Sequence, residues 1–418
     1  MWDAWKMKKA GWRAVEVVFT GAMYCWGWFF PDPIIVDGPG SIKKVPGIVK
    51  SKGYNKVLIV TDPGLMSLHL VDSLFDALKA EGIGYALYDQ VQPNPTIENV
   101  EAAKKIYESE HCQALIAVGG GSPMDTAKVC GARVARPDRP VRKMSGTFRV
   151  IIPSPGMTSL VPPPLYAVPT TAGTGSETTI AAVITDAQTH DKFPVMDPFI
   201  RARYAVLDPE LTTGLPPKIT STTGMDALTH AVEGYTNIWY NDKKFNDYGV
   251  KAIQIIFKYL ERAYNDGNDI EARGQMLLAS YYAGMCFTRG GVGYVHGIGH
   301  RLGGMYGVPH GLAMSVILPH VMSDELFGPV VYKKLAELAD YVGISGATEE
   351  AKAKAFVAEI RAMNERMSIP TGFDCIKDED VPLIAQRCMA EVNPTYPVPH
   401  IYTQKELEDF IRKYIMIK

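Results

Sequence analysis

Three histidines lie close together in the segment YVHGIGHRLGGMYGVPHG: His296, His300 and His310. A second segment, STTGMDALTHAVEGY, carries Asp226 and His230 four residues apart, which places both on one face of a helix whose predicted start is Ser221 to Thr223. One carboxylate and several imidazoles are typical ligands of a divalent transition metal in a site with room for a substrate. Spacing alone leaves open which two of the three clustered histidines would bind the ion. His296 and His300, at i and i+4, are the simplest pair.

The elements that must position these side chains follow from the hydrophobic pattern. Between about residues 55 and 210, β-branched runs such as KVLIVTD, YALYDQV and ALIAVGGG alternate with helical stretches, which predicts parallel strands joined by crossover helices. Beyond Leu215, stretches such as DYGVKAIQIIFKYLERAY recur at helical spacing with little β-branched clustering. We therefore predict an α/β dinucleotide-binding domain with a Rossmann-like parallel sheet over residues 34–213. An all-helical metal-binding domain is predicted over residues 214–418.

A glycine turn follows one of the predicted strands in ALIAVGGGSPMDTAK. The strand runs into Gly119, Gly120 and Gly121, and Ser122 is predicted to cap the next helix with Asp125 completing a capping box. Glycines let a backbone approach a pyrophosphate closely, and a helix N-terminus supplies amide donors for it. The alternative is a tight strand-to-helix turn without a ligand.

Two other stretches suit a dinucleotide. VPTTAGTGSETT, residues 168–179, offers hydroxyls and amides for a nicotinamide ribose or a second phosphate, although such a stretch is also typical of a polar loop. Asp62 ends the first strong strand, where a carboxylate can accept from the adenosine ribose hydroxyls and repel a 2′-phosphate, which favours NAD over NADP. Because this acid precedes the glycine turn, the usual dinucleotide fingerprint does not apply.

The first 33 residues form an aromatic-rich extension. Glu16 interrupts its apolar run, no small-residue cleavage site follows, and the run is short for a membrane span. We predict that its tryptophans pack against the body of the protein or a second subunit, and that the chain forms a homodimer or higher homo-oligomer. These tryptophans are Trp2, Trp5, Trp12, Trp26 and Trp28.

Composition narrows the class of protein. The 43 basic and 45 acidic residues are well mixed and give a net charge of -2, which argues against a nucleic-acid partner and favours a small-molecule substrate. Six cysteines without CxxC spacing indicate reduced thiols in a cytoplasmic protein. Because the N-terminal apolar run is short for a membrane span, we predict no membrane partner.

Four motifs in order carry a family resemblance: GGGSPMDTAK, PTTAGTGSE, MDALTHAVEGY and HGIGHRLGGMYGVPHG. With them the chain resembles the iron-dependent (group III) alcohol dehydrogenases from about Ile34 to about Asn393. The resemblance implies a metal site with His300 beside it. Because His300 would then lie close to the metal without binding it, we predict that it acts as a proton relay. The implied ligands are Asp226, His230, His296 and His310.

The same resemblance implies reversible hydride transfer between a small alcohol or diol and NAD, with NADP less favoured. Fe²⁺ is the favoured metal and Zn²⁺ the alternative.

One departure from the family pattern is that many relatives read NPR where this chain has Asn393, Pro394 and Thr395. Other readings are a hydroxyacid-oxoacid transhydrogenase, a dehydroquinate-synthase-like NAD-using lyase and a catalytically silent member kept for assembly. The implied cofactor residues are Asp62, Asn94, Gly119, Gly120, Gly121, Ser122, Thr170, Thr171, Thr174 and Lys192.

Overall fold

The computed structural model of the chain describes residues 4–27, 31–150, 159, 161–189, 191–238 and 242–417. Internal contacts divide the chain into two compact units. The α/β unit comprises Phe30–Leu215 and Gly267–Tyr281, and the helical unit comprises Met1–Phe29, Pro216–Asp266 and Tyr282–Lys418. The functional domains predicted over residues 34–213 and 214–418 stay a prediction.

All strands of the described residues belong to the α/β unit. In chain order they are β1 (Ile34–Asp37), β2 (Lys56–Val60), β3 (Gly84–Tyr88), β4 (Ala114–Gly119), β5 (Gly146–Thr147), β6 (Leu165–Pro169), β7 (Ala181–Asp186), β8 (Asp191–Met196) and β9 (Tyr204–Leu207). Six of them form a parallel sheet in the order β1-β9-β6-β4-β2-β3. The central strand β4 is buried along its whole length, as expected of a parallel sheet with helices on both faces. The predicted fold class is confirmed.

The helices follow the amphipathic stretches of the sequence. In chain order they are α1 (Ala4–Gly27), α2 (Val45–Ser51), α3 (Pro63–Ser67), α4 (Asp72–Glu81), α5 (Ile97–Ser109), α6 (Gly121–Ala135), α7 (Pro217–Thr236), α8 (Lys243–Asn265), α9 (Ile270–Gly290), α10 (Tyr294–Tyr306), α11 (His310–Val321), α12 (Gly328–Tyr341), α13 (Glu349–Arg366), α14 (Val381–Val392) and α15 (Gln404–Phe410). The C-terminal half is thus mostly helical, as predicted.

A second, small sheet was not predicted from the sequence. It has the order β5-β8-β7, and its β7–β8 pair is antiparallel. Lys192 lies on β8, so this sheet positions one of the predicted cofactor residues.

The predicted cap of α6 is wrong. The helix begins at Gly121 with Gly120 as its N-cap residue, and no side chain caps it. Asp125 bonds elsewhere: its Oδ1 accepts from Ser176 Oγ at 2.9 Å and its Oδ2 from the Val183 amide at 2.8 Å. The capping-box carboxylate therefore holds a distant loop and strand, and the amides at the start of α6 have no side-chain cap.

Helix α7 also begins earlier than predicted, at Pro217 instead of at Ser221 to Thr223. Proline fits a first helical position because its missing N–H would have no partner in the helix there. The hydroxyls of Thr222 and Thr223 instead donate back to the carbonyls of Lys218 and Ile219, both at 2.8 Å. Polar residues that look like a helix start are thus the second turn of a helix that is largely buried.

The N-terminal helix α1 packs within the helical unit. Arg13 donates to the carbonyls of Val398 at 2.7 Å and Pro399 at 3.1 Å, and pairs with the buried Glu16. The N-terminal extension therefore contacts the C-terminal segment of its own chain. The predicted packing of Trp2, Trp5, Trp26 and Trp28 lies outside the described side chains, and self-association stays a prediction.

Among the described helices, none is both long and apolar enough to cross a membrane. The thiols of Cys112, Cys130, Cys286, Cys375 and Cys388 are free. The cytoplasmic location stays a prediction.

Candidate functional site

Three helices of the helical unit bring one carboxylate and three imidazoles together. Helix α7 carries Asp226 and His230 on one face, α10 carries His296, and α11 begins at His310. One potential ligand atom from each of these four side chains lies within 4.8 Å of the others. Asp226, His230 and His296 are buried and His310 is exposed, so solvent and small molecules reach the group from the side of His310.

The donor atoms lie close to one another. His230 Nε2 and His296 Nε2 are 3.0 Å apart, and His310 Nε2 is 3.4 Å from Asp226 Oδ1. Asp226 Oδ1 is buried without a hydrogen-bond partner among the described residues. A buried carboxylate oxygen normally has a partner, and a cation would supply it here. The donor set therefore fits a divalent metal ion.

The electrostatics of the four residues suit ligands. Burial alone would raise the pKa of Asp226. The imidazoles of His230 and His310 lower this pKa by more than burial raises it, so the pKa lies well below the usual range of a carboxyl group. Burial lowers the pKa of His230 to about 3 and the pKa of His296 well below its ordinary value. At neutral pH the carboxylate is then ionised and these two imidazoles are neutral, which are the protonation states that metal ligands need.

A buried glutamate that the sequence reasoning missed orients one imidazole. Glu233 Oε2 lies 2.6 Å from His296 Nδ1, while Glu233 Oε1 accepts from the Val295 amide at 2.8 Å. Burial raises the pKa of Glu233 to about 7, and the amides of Gly293 and Val295 oppose that rise. A carboxylate at Nδ1 leaves the lone pair of His296 on Nε2, which faces the other donors. Glu233 lies three residues after His230 on α7, and this spacing could have identified it.

One ring contact and one close approach of two helices restrict the positions of His230 and His310. The ring of His230 stacks on Phe287 at a centroid distance of 4.0 Å and an interplanar angle of 15°. A Cβ on Gly311, next to His310, would lie 2.5 Å from the carbonyl oxygen of Thr222. Thr222 is one turn before Asp226 on α7, so the missing side chain at position 311 lets α11 approach α7 closely.

His300 lies beside the group of four and not within it. Its ring stacks on His310 at a centroid distance of 5.4 Å and an interplanar angle of 18°. Its Nδ1 is 2.6 Å from Glu391 Oε1. The i, i+4 pair His296 and His300 is therefore divided, with His296 turned towards Asp226 and His230 and His300 turned towards Glu391.

In the α/β unit, two glycine segments lie next to each other. Gly119, at the end of β4, has φ +149, and a Cβ there would lie 2.5 Å from Pro123 Cγ. A Cβ on Gly120 would lie 3.5 Å from Thr171 Oγ1, and one on Gly121 would lie 3.6 Å from Thr174 Cγ2. The turn and the threonine loop thus form a narrow cradle at the uncapped start of α6, which fits a pyrophosphate.

The remaining predicted cofactor residues divide between neighbouring loops and strands. Thr170 is buried, and its backbone amide donates a hydrogen bond to the carbonyl oxygen of Gly119 at 3.1 Å. Lys192 donates to Asn94 Oδ1 at 2.8 Å. Asp62 follows β2 and caps α3, where its side chain accepts from the Leu65 amide at 3.0 Å.

A buried lysine holds the threonine loop in place. Lys128 on α6 donates to Ser176 Oγ and Thr179 Oγ1, both at 2.9 Å, and to Ala181 O at 2.8 Å. Burial lowers its pKa to about 8. Lys128 and Asp125 therefore hold the loop in place through hydrogen bonds.

The chain is similar to known proteins over most of its length. A family model described as iron-containing alcohol dehydrogenase matches residues 32–209, and one for the C-terminal part of the Fe-containing alcohol dehydrogenase family matches residues 220–415. The chain is 36% identical to the NAD-dependent methanol dehydrogenase of Bacillus methanolicus, over 92% of this chain and 98% of that protein.

Solved structures are similar as well. A 1,3-propanediol oxidoreductase has a TM-score of 0.84 at 32% identity, covering 92% of this chain and 99% of the other. The sulfoacetaldehyde reductase of Bifidobacterium kashiwanohense, solved in complex with NAD⁺, has a TM-score of 0.82 at 26% identity and covers 93% and 99%.

Proposed function

This chain belongs to the iron-containing alcohol dehydrogenase family of oxidoreductases, and we propose that it catalyses metal-dependent, reversible oxidation of a small alcohol or diol with NAD. The observation that carries the proposal is the convergence of Asp226, His230, His296 and His310 within 4.8 Å. Fe²⁺ is the metal that the family favours. A site of three imidazoles and one carboxylate also accepts Zn²⁺, which generally binds such ligands more tightly.

When bound, the metal supplies a Lewis acid that polarises the substrate oxygen, and the nicotinamide supplies the hydride acceptor or donor. The chain's own residues do the rest. Asp226 contributes a negative charge to the cation site, and Glu233 keeps the lone pair of His296 on Nε2. Phe287 covers one face of His230 and excludes water from it.

His300 is the proposed proton relay. With Nδ1 turned to Glu391, its Nε2 is the nitrogen that can take the hydroxyl proton during oxidation and return it during reduction. The side chain is 35% exposed, so the proton can pass on to solvent.

For the cofactor, we propose that the diphosphate of NAD binds over Gly119, Gly120, Gly121 and Ser122 at the start of α6. Thr170, Thr171 and Thr174 would then line its middle, Asn94 and Lys192 would lie along it, and Asp62 would accept from the adenosine ribose. The cradle formed by the two glycine segments supports the position of the diphosphate. The similar sulfoacetaldehyde reductase, solved in complex with NAD⁺, supports the choice of cofactor.

The test of the function is NADH formation from a panel of primary alcohols and diols, after anaerobic reconstitution with Fe²⁺ or Zn²⁺ and after removal of the metal with a chelator. We expect turnover that requires the metal and that identifies the preferred chain length. Absence of NADH formation with every alcohol and both metals would contradict the proposal. A hydroxyacid-to-oxoacid transfer without free NADH would then identify a transhydrogenase.

Asp62→Ser is expected to relax the choice of cofactor. Serine can still cap α3 by accepting from the Leu65 amide, but it removes the charge that repels a 2′-phosphate. The ratio of kcat/KM for NADP⁺ to that for NAD⁺ should rise about tenfold, equivalent to about 1.4 kcal/mol and within the usual range for a like-charge pair near a surface. Asp72→Ser, an exposed acid on α4 of the same unit, is the matched control. An unchanged ratio in Asp62→Ser would place the adenosine ribose elsewhere.

A further inference from the structure

The carboxylate of Glu391 on α14 forms hydrogen bonds with three other side chains. Its Oε1 is 2.6 Å from His300 Nδ1 and accepts from the hydroxyl of Tyr396 at 2.9 Å. Its Oε2 accepts from Arg301 Nη2. Both oxygens are thus occupied by donors, and the carboxylate has little freedom to rotate.

The bond to His300 has a direct consequence for that ring. An ionised carboxylate only accepts hydrogen bonds, so the nitrogen at 2.6 Å must carry the proton. In a neutral imidazole the other nitrogen, Nε2, then holds the lone pair. The ring plane is fixed from a second direction by its stacking on His310.

Without Glu391, His300 would have few restraints. Its side chain is partly exposed, and stacking on His310 allows the ring to turn by 180° about the Cβ–Cγ bond, which exchanges the positions of Nδ1 and Cδ2 and those of Nε2 and Cε1. The hydrogen bond is the contact that distinguishes the two orientations. Glu391 is 91 residues away in the sequence, so this partner comes from the packing of α14 on α10.

We propose that Glu391 is a positioning residue, which fixes the tautomer and the ring orientation of His300 so that Nε2 exchanges the substrate proton. The role rests on the proposed function, because it acts through the His300 relay. Arg301 and Tyr396 support it by holding the carboxylate from its other positions. The proposed active site then includes a residue of α14, which contacts His300 on α10.

The substitution that tests the proposal is Glu391→Gln, which keeps the shape of the side chain but offers an amide that can either donate or accept. The tautomer is then no longer determined by its partner. The matched control is Glu337→Gln on α12, because Glu337 also accepts from a tyrosine hydroxyl, that of Tyr235 at 2.9 Å. Its carboxylate is hydrogen-bonded to no histidine among the described residues.

The first measurement needs no catalysis. Imidazole ¹⁵N spectra of histidine-labelled, metal-free protein, with His300 assigned by its absence in His300→Gln, report which ring nitrogen carries the proton. We expect the Nδ1–H form in the parent and in Glu337→Gln, and a mixture of tautomers in Glu391→Gln. The same tautomer in Glu391→Gln as in the parent would overturn the proposal.

The second measurement is a double-mutant cycle on the reconstituted enzyme. In Glu391→Gln, kcat should fall about 10- to 100-fold, the usual cost of losing a partner that orients a site residue, while KM and metal content change less than about twofold. Adding Glu391→Gln to His300→Gln should change kcat by less than about twofold, because the two residues act as one unit. An equal fall of kcat in both backgrounds, or loss of metal in Glu391→Gln, would contradict a role through His300.

Two further points keep the test decisive. If Glu391→Gln melts well below the parent, Glu391→Asp replaces it in the same cycle, because it keeps the charge but withdraws the oxygens by one methylene. If the parent forms no NADH with any metal, the proposed function fails, whereas the ¹⁵N comparison still decides whether Glu391 orients His300.

Discussion

Replacing Asp226 by asparagine is expected to abolish metal-dependent turnover, with kcat/KM falling more than about a thousandfold. Losing a partner that only orients a ligand typically costs about 10- to 100-fold, and this change removes a ligand. The asparagine side chain has the same shape but lacks the negative charge that offsets a dication between three imidazoles. The measurements are metal content by mass spectrometry after dialysis and the rate of NADH formation.

The matched control is Asp247→Asn on the neighbouring helix α8, where the carboxylate pairs with the exposed Lys243. It should keep both metal and activity. Full metal content together with parental turnover in Asp226→Asn would contradict the assignment of the metal site.

The second large effect is expected from Gly311→Ala, although this residue offers no ligand atom. Its Cβ would lie 2.5 Å from the oxygen and 2.9 Å from the carbonyl carbon of Thr222, which are backbone atoms of α7. Helix α11 must therefore move away and take His310 with it, away from Asp226. We expect the affinity for Zn²⁺ to fall on the order of a hundredfold, and the folded state to lose about 2 kcal/mol, as is usual for overpacking.

Affinity is measured by competition with a chelator, and stability by thermal unfolding of the metal-free protein. Gly304→Ala is the control, because a Cβ on this exposed residue of α10 meets no atom within 4 Å. Alanine there should leave metal binding unchanged and stabilise the helix slightly. Parental affinity in Gly311→Ala would show that the approach of α11 to α7 does not determine the position of His310.

Much of the fold could be predicted because its signals are local. A β-branched run such as Lys56–Val60 or Ala114–Gly119 has the length and composition of a buried parallel strand, and the helices beyond Pro216 show their period directly. The caps were wrong for a physical reason. Asp125 has the spacing of a capping box, but its partners Ser176 and Val183 are 51 and 58 residues away, and no local pattern contains them.

The candidate site shows the same limit. The sequence supplied the residue types, since one acid and several histidines near glycines already indicate a metal. Which histidines face Asp226 depends on how α10 and α11 pack against α7, and the sequence spacing of His296 and His300 favours a pair that the structure divides. Glu391 is an ordinary helical glutamate in the sequence and becomes distinctive only through its contact with His300.

The four proposed ligands lie far apart in the sequence. This separation affects the abundance of the protein in a cell. His230 and His296 are 66 residues apart, and closing such a loop in an unfolded chain costs roughly 4 kcal/mol or more. An unfolded chain therefore binds the ion weakly and the folded one tightly, so free metal at about a hundred times its Kd would add about 2.7 kcal/mol to the free energy of unfolding. Where metal is scarce, a larger fraction of the protein molecules is unfolded at any moment and accessible to proteases. We expect the abundance of this enzyme to follow the metal supply even when its synthesis is constant.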